Sequence, residues 1–241
     1  MAEIGDMELH RVKLPDMVRA HLTGKILDGT LAPGDPLPSE GELARRFKVS
    51  KQVIREAMRE LNALKVLETH QGRPSSVRGL TSEPLAFLFQ VGAVHDQGYR
   101  DLRELRRAIE CEAAGLAAER RTQAHLDELS LCLDGMADNI GRAIYMDFDW
   151  RFHLTIARAS ENRLLLCVFE ALKAQVLETQ RILKVGRTRD VFHLKIQDHR
   201  VVYDAIRERD PAAARARMSL HFKVTPEEFA RLTAKVRPVR K

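Results

Sequence analysis

Four side chains in the second half of the sequence combine residue type and spacing in a way that can hold a cation. Asp149 and His153 stand four residues apart beside an apolar stripe of Phe148, Phe152 and Ile156, which puts both on one face of a helix. His199 belongs to the run Phe192, Ile196, His199, Tyr203 and Ile206, whose steps of 4, 3, 4 and 3 turn its ring inward, and His221 does the same beside Ala214, Met218 and Phe222. A buried titratable group needs a partner to offset its desolvation. One carboxylate and three imidazoles aimed into one bundle form a ligand set for a divalent transition metal, Zn first, with Ni, Mn or Co taking the same donors. Taken singly, each imidazole reads more simply as a satisfied core histidine, as do His10, His21, His70, His95, His125 and His193. Asp149 with His153 alone is an ordinary helix pair worth roughly a few tenths of a kcal/mol. The joint pattern is what points to metal.

The second candidate chemistry is contact with a polyanion. The chain has 40 Lys/Arg against 34 Asp/Glu, a net charge of +6. Residues 45 to 59 concentrate six bases against the single acid Glu56. Lys51, Arg55 and Arg59 step by four along one side of a helix, away from an inner stripe of Val53, Ala57, Leu61 and Leu64. Arg45 and Arg46 precede them at the end of another helix. A solvated basic face explains charge alone, but here it must also explain the local order of elements.

That order is specific. A helix of about residues 15 to 29, with Val18, Leu22 and Ile26 inside, closes at Asp28-Gly29 and a Pro/Gly-rich turn. Ser39 and Glu42 form a capping box for a second helix through Leu43, Ala44 and Phe47. Lys48-Val49 makes a tight turn, and Ser50 caps a third helix of roughly residues 51 to 64. Two short strands, residues 66 to 69 and 75 to 78, flank a tip at His70-Gln71-Gly72-Arg73-Pro74. Three helices and a two-stranded wing describe a winged helix-turn-helix, whose third helix enters the DNA major groove N-terminus first. Ser50, Lys51, Gln52 and Arg55 then meet bases and phosphates, and Arg45 and Arg46 clamp phosphates.

Beyond a boundary near residues 79 to 82, helical periodicity continues in seven segments, roughly 83–95, 99–120, 123–142, 144–160, 162–185, 189–209 and 211–223. A tail helix is expected from the capping box Thr225-Pro226-Glu227-Glu228. The expected fold is therefore mainly α: a winged helix-turn-helix over 1–80, then an all-α bundle over 81–241. With 241 residues, 44% apolar and 31% charged, the chain has enough apolar content to bury a core and lies outside the disordered regime. It has no run of eighteen apolar residues and no basic, apolar leader at its start, which places it in the cytoplasm with no membrane partner. Cys111, Cys132 and Cys167 form no paired framework and read as small core residues.

The stretch PGDPLPSEGELARRFKVSKQVIREAMRELNALKVLETHQGRPSSV strongly resembles the N-terminal winged helix-turn-helix of GntR-family bacterial transcription regulators, over about residues 15 to 78. The resemblance implies base and phosphate contacts by Lys51 and Arg55, and minor-groove contact by Gln71 and Gly72 at the wing tip. It also implies an inverted-repeat operator similar to TnGTnnnACnA. Gly41 departs from the pattern, since many members carry Arg or Lys there. Three further stretches, DLRELRRAIECEAAGLAAER, MDFDWRFHLTIARASEN and DHRVVYDAIRERDPAAARARMSLHF, are similar to the effector-binding FCD domain of the FadR-like branch, over about residues 84 to 223. That likeness implies metal ligation by Asp149, His153, His199 and His221. It further implies a small carboxylate effector that completes the coordination and pairs with Arg106. Arg106 lies on the stripe of Leu102, Ile109 and Ala113, where a plain intrahelical pair with Glu110 is the other reading. Asn162 matches a polar residue near the ligand, or simply caps its helix.

The function expected is a ligand-responsive DNA-binding repressor of a catabolic operon, acting as a homodimer on double-stranded DNA. The alternative is a metal-dependent hydrolase using the Asp and three His. No HExxH, GxSxG or nucleotide-binding glycine loop accompanies that set. A third reading, a metal that only staples the bundle, predicts no response to small acids.

Overall fold

The computed structural model describes residues 13–69, 73–92, 98–184 and 188–223. Its contacts divide the chain into two compact units, Met1–Thr81 and Ser82–Lys241. The predicted tail helix, the Gln71 and Gly72 wing tip and the end of the 83–95 helix lie outside the described residues.

The first unit holds α1 (Leu14–Leu27), α2 (Glu40–Phe47), α3 (Lys51–Ala63), β1 (Leu67–Glu68) and β2 (Ser76–Val77). Ser39 caps α2 by accepting from the Glu42 amide at 3.2 Å. The expected capping box is only half made, because the Glu42 carboxylate turns forward to Arg46. Lys48, in the left-handed conformation at φ 54°, ends α2 and starts the tight turn, and Ser50 caps α3 by accepting from Val53 N at 3.3 Å. The fully buried face of α3 is Ile54, Ala57 and Leu61; of the expected Val53, Ala57, Leu61 and Leu64, Val53 packs part-buried against the same core and Leu64 stays outside it. Helix α3 ends at Ala63, so Leu64 becomes its C-cap and turns outward at 55% exposure, while Leu67 of β1 packs into the same core. Strands β1 and β2 pair antiparallel, Leu67 opposite Val77 and Glu68 opposite Ser76, with the first pair facing the core.

The second unit is helical throughout the described residues: α4 (Glu83–Gly92), α5 (Gly98–Arg120), α6 (Gln123–Asp138), α7 (Tyr145–Ala159), α8 (Arg163–Ala171), α9 (Lys173–Lys184), α10 (Arg189–Arg207) and α11 (Pro211–His221). The single helix expected over 162–185 breaks at Leu172, whose amide bonds back three residues to Phe169 O while its side chain is sealed in a small cluster with Trp150 and Val176. Helix α6 stops at Asp138 instead of reaching 142, because the Asn139 side chain donates to Gly135 O at 2.8 Å and Gly141 follows at φ +81°. The core is built on Phe152 and Ile156 of α7, Leu129, Leu133 and Met136 of α6, and Ile206 and Met218 from α10 and α11. Ala113, Ala114, Ala117 and Ala118 of α5 are buried in the same core, and α5 packs closely on α11. Helix α5 also packs on α7 and α10, so all the helices that carry the Asp and His set meet around it.

Candidate functional site

Helix α7 presents Asp149 and His153 inward from successive turns, α10 presents His199, and α11 presents His221 at its last turn. His153 and His199 are 3% and 1% exposed. His153 Nε2 and His199 Nε2 lie 3.3 Å apart, and Asp149 Oδ1 is 3.2 Å from the same His199 nitrogen. His153, His199 and His221 each bring a ring nitrogen to within 4.8 Å of the other two. The expected four residues are therefore in one place. Phe152 stands edge-on to both His153 and His199, packing the two rings from the core side.

The outer nitrogens of two of these rings are already engaged. His199 Nδ1 lies 2.7 Å from the Lys195 carbonyl, which can only accept, so this nitrogen carries hydrogen. His153 Nδ1 lies 2.6 Å from Glu110 Oε2, off the ideal hydrogen-bond line. A bare lone pair would be repelled there, so this nitrogen carries hydrogen too. With a single hydrogen on each ring, both facing Nε2 atoms are lone-pair acceptors, pointed at each other and at a carboxylate. A proton on His199 Nε2 relieves the Asp149 contact. It does nothing for His221, whose buried Nδ1 has no partner among the described residues.

The charges agree with a cation-binding arrangement. Burial by itself would raise Asp149, but the hydrogen bond and charge of His199, with His153 and Arg106 behind it, outweigh that and hold the carboxyl at about 2. Glu110 is likewise held below the usual carboxylate range, burial being outweighed by Arg106 and His153. His221 is part-exposed as a residue, yet its ring sits inside. Burial first, then its positive neighbours led by His199, push it well below the ordinary imidazole value, so it is a neutral base.

These groups form one wall of a cavity of about 90 Å³, enough for one small acid or several waters. Arg103, Arg106 and Lys195 line it as well. Arg106 gives its Nε to Glu110 at 2.7 Å and lies over the Phe222 ring at 5.1 Å. The intrahelical pair is made and uses one nitrogen, and Arg106 also lines the cavity. Gln180 of α9 donates to Asp149 Oδ2. Asn162 is not brought to the cavity. Its Oδ1 caps α8, accepting from Leu164 N and Leu165 N at 3.1 Å each.

Sequence reasoning overlooked Glu110 as a site residue, together with Arg103, Gln180 and Lys195. Glu110 lies in the series Leu102, Arg106, Ala113 on α5, but its ordinary pairing with Arg106 masked it, and its 3% exposure is seen only in the folded chain. Gln180 gave no such signal, since its helix begins at the unforeseen break.

In the first unit, Lys51, Gln52 and Arg55 are exposed at the start of α3, and Arg45 and Arg46 at the end of α2. Arg55 is steadied by Glu40 of α2, with Nε and a terminal nitrogen at 3.2 and 3.1 Å from its Oε2. Lys51 runs past Gly41, where an added Cβ would stand 3.4 Å from the Lys51 Cε. Among the described residues no helix is long and apolar enough to cross a membrane.

A winged helix-turn-helix joined in sequence to a helical domain with a charged internal cavity is the build of a DNA-binding transcription regulator. The comparisons agree: residues 14–77 match the family described as bacterial regulatory proteins, gntR family, and residues 101–224 match the FCD domain. The chain is 31% identical to the HTH-type transcriptional regulator LutR of Bacillus subtilis, over 81% of this chain and 92% of that one. It is 29% identical to the Glc operon transcriptional activator of Escherichia coli K12, over 86% of this chain and 85% of that one. The galactonate operon transcriptional repressor of the same organism is 28% identical, over 83% and 89%. The solved structure of Streptococcus agalactiae GntR superposes with a TM-score of 0.60 at 26% identity, covering 86% of this chain and 97% of that one. This chain belongs to the GntR family of transcription regulators and carries an FCD domain. The family consists of DNA-binding regulators rather than enzymes, so the hydrolase alternative falls.

Proposed function

We propose that this chain is a repressor whose FCD domain senses a small carboxylate through a metal-containing cavity, and that it binds an inverted-repeat operator as a homodimer. The observation that carries the metal part is the pair of facing Nε2 atoms of His153 and His199, 3.3 Å apart, with His199 Nδ1 2.7 Å from the Lys195 carbonyl and His153 Nδ1 2.6 Å from Glu110 Oε2. The neutral His221 brings a ring nitrogen within 4.8 Å of the other two histidines, and Asp149 stands beside His199, a donor set suited to a cation. These residues fit a divalent transition metal, Zn first, with Ni, Mn or Co able to take the same set. When bound, such an ion supplies a positive centre with positions open to a carboxylate oxygen. The chain's own contribution is to hold His153 and His199 in one tautomer, keep His221 neutral and turn Arg106 toward the same cavity. A guanidinium fork suits a carboxylate. The acid is a hydroxy acid, a sugar acid or a dicarboxylate, and the name of the galactonate operon repressor among the relatives supports that class.

For DNA, Lys51, Gln52 and Arg55, with Ser50 at the helix start, read the major groove, and Arg45 grips phosphate. Gln71 and Gly72 are proposed for the minor groove. Effector binding shifts operator affinity through a coupling of roughly 1–3 kcal/mol, about 5- to 150-fold. The test is an operator titration of the metal-loaded chain with and without candidate acids. The proposal requires that one acid changes the operator Kd, and that Arg106→Lys removes the change while leaving acid-free binding intact.

A further inference from the structure

The side of His153 turned away from the other imidazoles meets a small second cavity of about 10 Å³. Its walls are Ile109, Ala113, Ile156, Leu165 and Phe169, and Glu110 is the polar group facing His153. A space that small and that apolar does not hold a water in place of Glu110. Glu110 divides its two oxygens: Oε1 accepts from Arg106 Nε at 2.7 Å, and Oε2 lies 2.6 Å from His153 Nδ1. We infer that Glu110 is a positioning residue that locks His153 in the Nδ1–H tautomer, keeping its Nε2 lone pair free for a cation and tying that ring to the cavity arginine through one carboxylate.

The chemistry requires a carboxylate and not merely a polar group. Glu110 must accept on both sides, from a guanidinium and from an imidazole N–H, and a carboxylate offers two acceptor oxygens. An amide offers one acceptor and one donor. Facing its NH2 to Arg106 opposes donor to donor. Facing it to His153 is tolerated only if the imidazole moves its proton to Nε2, the atom that looks at His199 Nε2 from 3.3 Å. Glu110→Gln therefore keeps size and shape but turns a ligand nitrogen into a donor. Outer carboxylates of this kind are worth about 10–100-fold in metal affinity where they support a ligating histidine.

The affinity readout rests on the metal reading of the site, while the tautomer readout stands without it. The experiment is long-range 15N–1H NMR of the full chain, chelated and at pH 8, on wild type, Glu110→Gln and Glu110→Asp, followed by Zn titration against a competing chelator. In wild type, His153 is expected to show a protonated Nδ1 and a bare Nε2. Glu110→Gln is expected to reverse this and weaken Zn by about 10–100-fold, and Glu110→Asp, which keeps acceptor chemistry, to retain the wild-type tautomer. A proton on Nε2 in wild type overturns the inference, as does Glu110→Gln with unchanged tautomer and unchanged Zn affinity. If Glu110→Gln fails to fold, wild type and Glu110→Asp decide the point. If wild type takes up no Zn, the metal reading fails on its own, and the tautomers still settle the role of Glu110.

Discussion

His153 and His199 approach each other nitrogen to nitrogen, Nε2 to Nε2 at 3.3 Å, with Asp149 Oδ1 3.2 Å from the second ring. Where each ring keeps its hydrogen on Nδ1, only lone pairs face inward, toward each other and toward Asp149. The fold brings them together because α7 and α10 are both held against α5, and Phe152 wedges the rings from the core side. An apolar core of the same volume would satisfy packing alone; the convergence of acceptors makes sense as a site for a cation.

Removing one imidazole should remove the ion and leave the bundle. His199→Ala is expected to lose stoichiometric Zn, read by metal analysis after gel filtration. In wild type, Zn at about a thousand times its Kd should stabilise the chain by roughly 4 kcal/mol, and that gain should vanish in the variant.

The chelated protein should weaken in acid in two separate ranges. His221 has a folded value well below its unfolded value near 6.5, so the unfolded chain takes the proton first. Stability is therefore lost as pH falls below about 6.5, at up to about 1.4 kcal/mol per pH unit. His221→Gln should flatten this slope in urea titrations from pH 7 to 5. Asp149, lowered from 3.8 to about 2, contributes stability that is complete above its unfolded value and disappears as pH falls through the folded one. Its contribution is on the order of 2 kcal/mol, and Asp149→Asn should remove it.

Lys51→Ala and Arg55→Ala should weaken binding to a duplex carrying TnGTnnnACnA in inverted repeat, and each should reduce the salt slope by about 1 for every phosphate left without its cation. Zn content should not change. Arg55→Ala also frees Glu40, which adds an uncompensated negative charge at the DNA face. Its loss of affinity should therefore exceed that of Lys51→Ala.

Helix starts were the most legible part of the sequence. Ser39 and Ser50 both cap as their types predict, because an N-cap is decided by a few neighbouring residues. The phase of α3 was less legible: Val53 and Ile54 are both β-branched and apolar, and it is Ile54 that is fully buried while Val53 packs part-buried against the same core. The break at Leu172 has no Gly or Pro to announce it; it shows as the Leu172 amide bonding back three residues to Phe169 O. At the site, inward stripes located the three histidines and Asp149. Glu110 was hidden behind its own local explanation, since an Arg and a Glu four apart on a helix are ordinarily a surface pair, and only tertiary packing shows the pair to be buried against His153.

The central claim, that one cavity joins a metal to a carboxylate sensor, is tested most directly by a thermal-shift screen of small carboxylates with and without chelator. The account predicts an acid that raises the melting temperature of the Zn-loaded chain, an effect abolished by chelation and by Arg106→Lys. An acid that stabilises the chelated protein equally well, or Zn-loaded protein that no small carboxylate stabilises while chelation still lowers its midpoint, would contradict it.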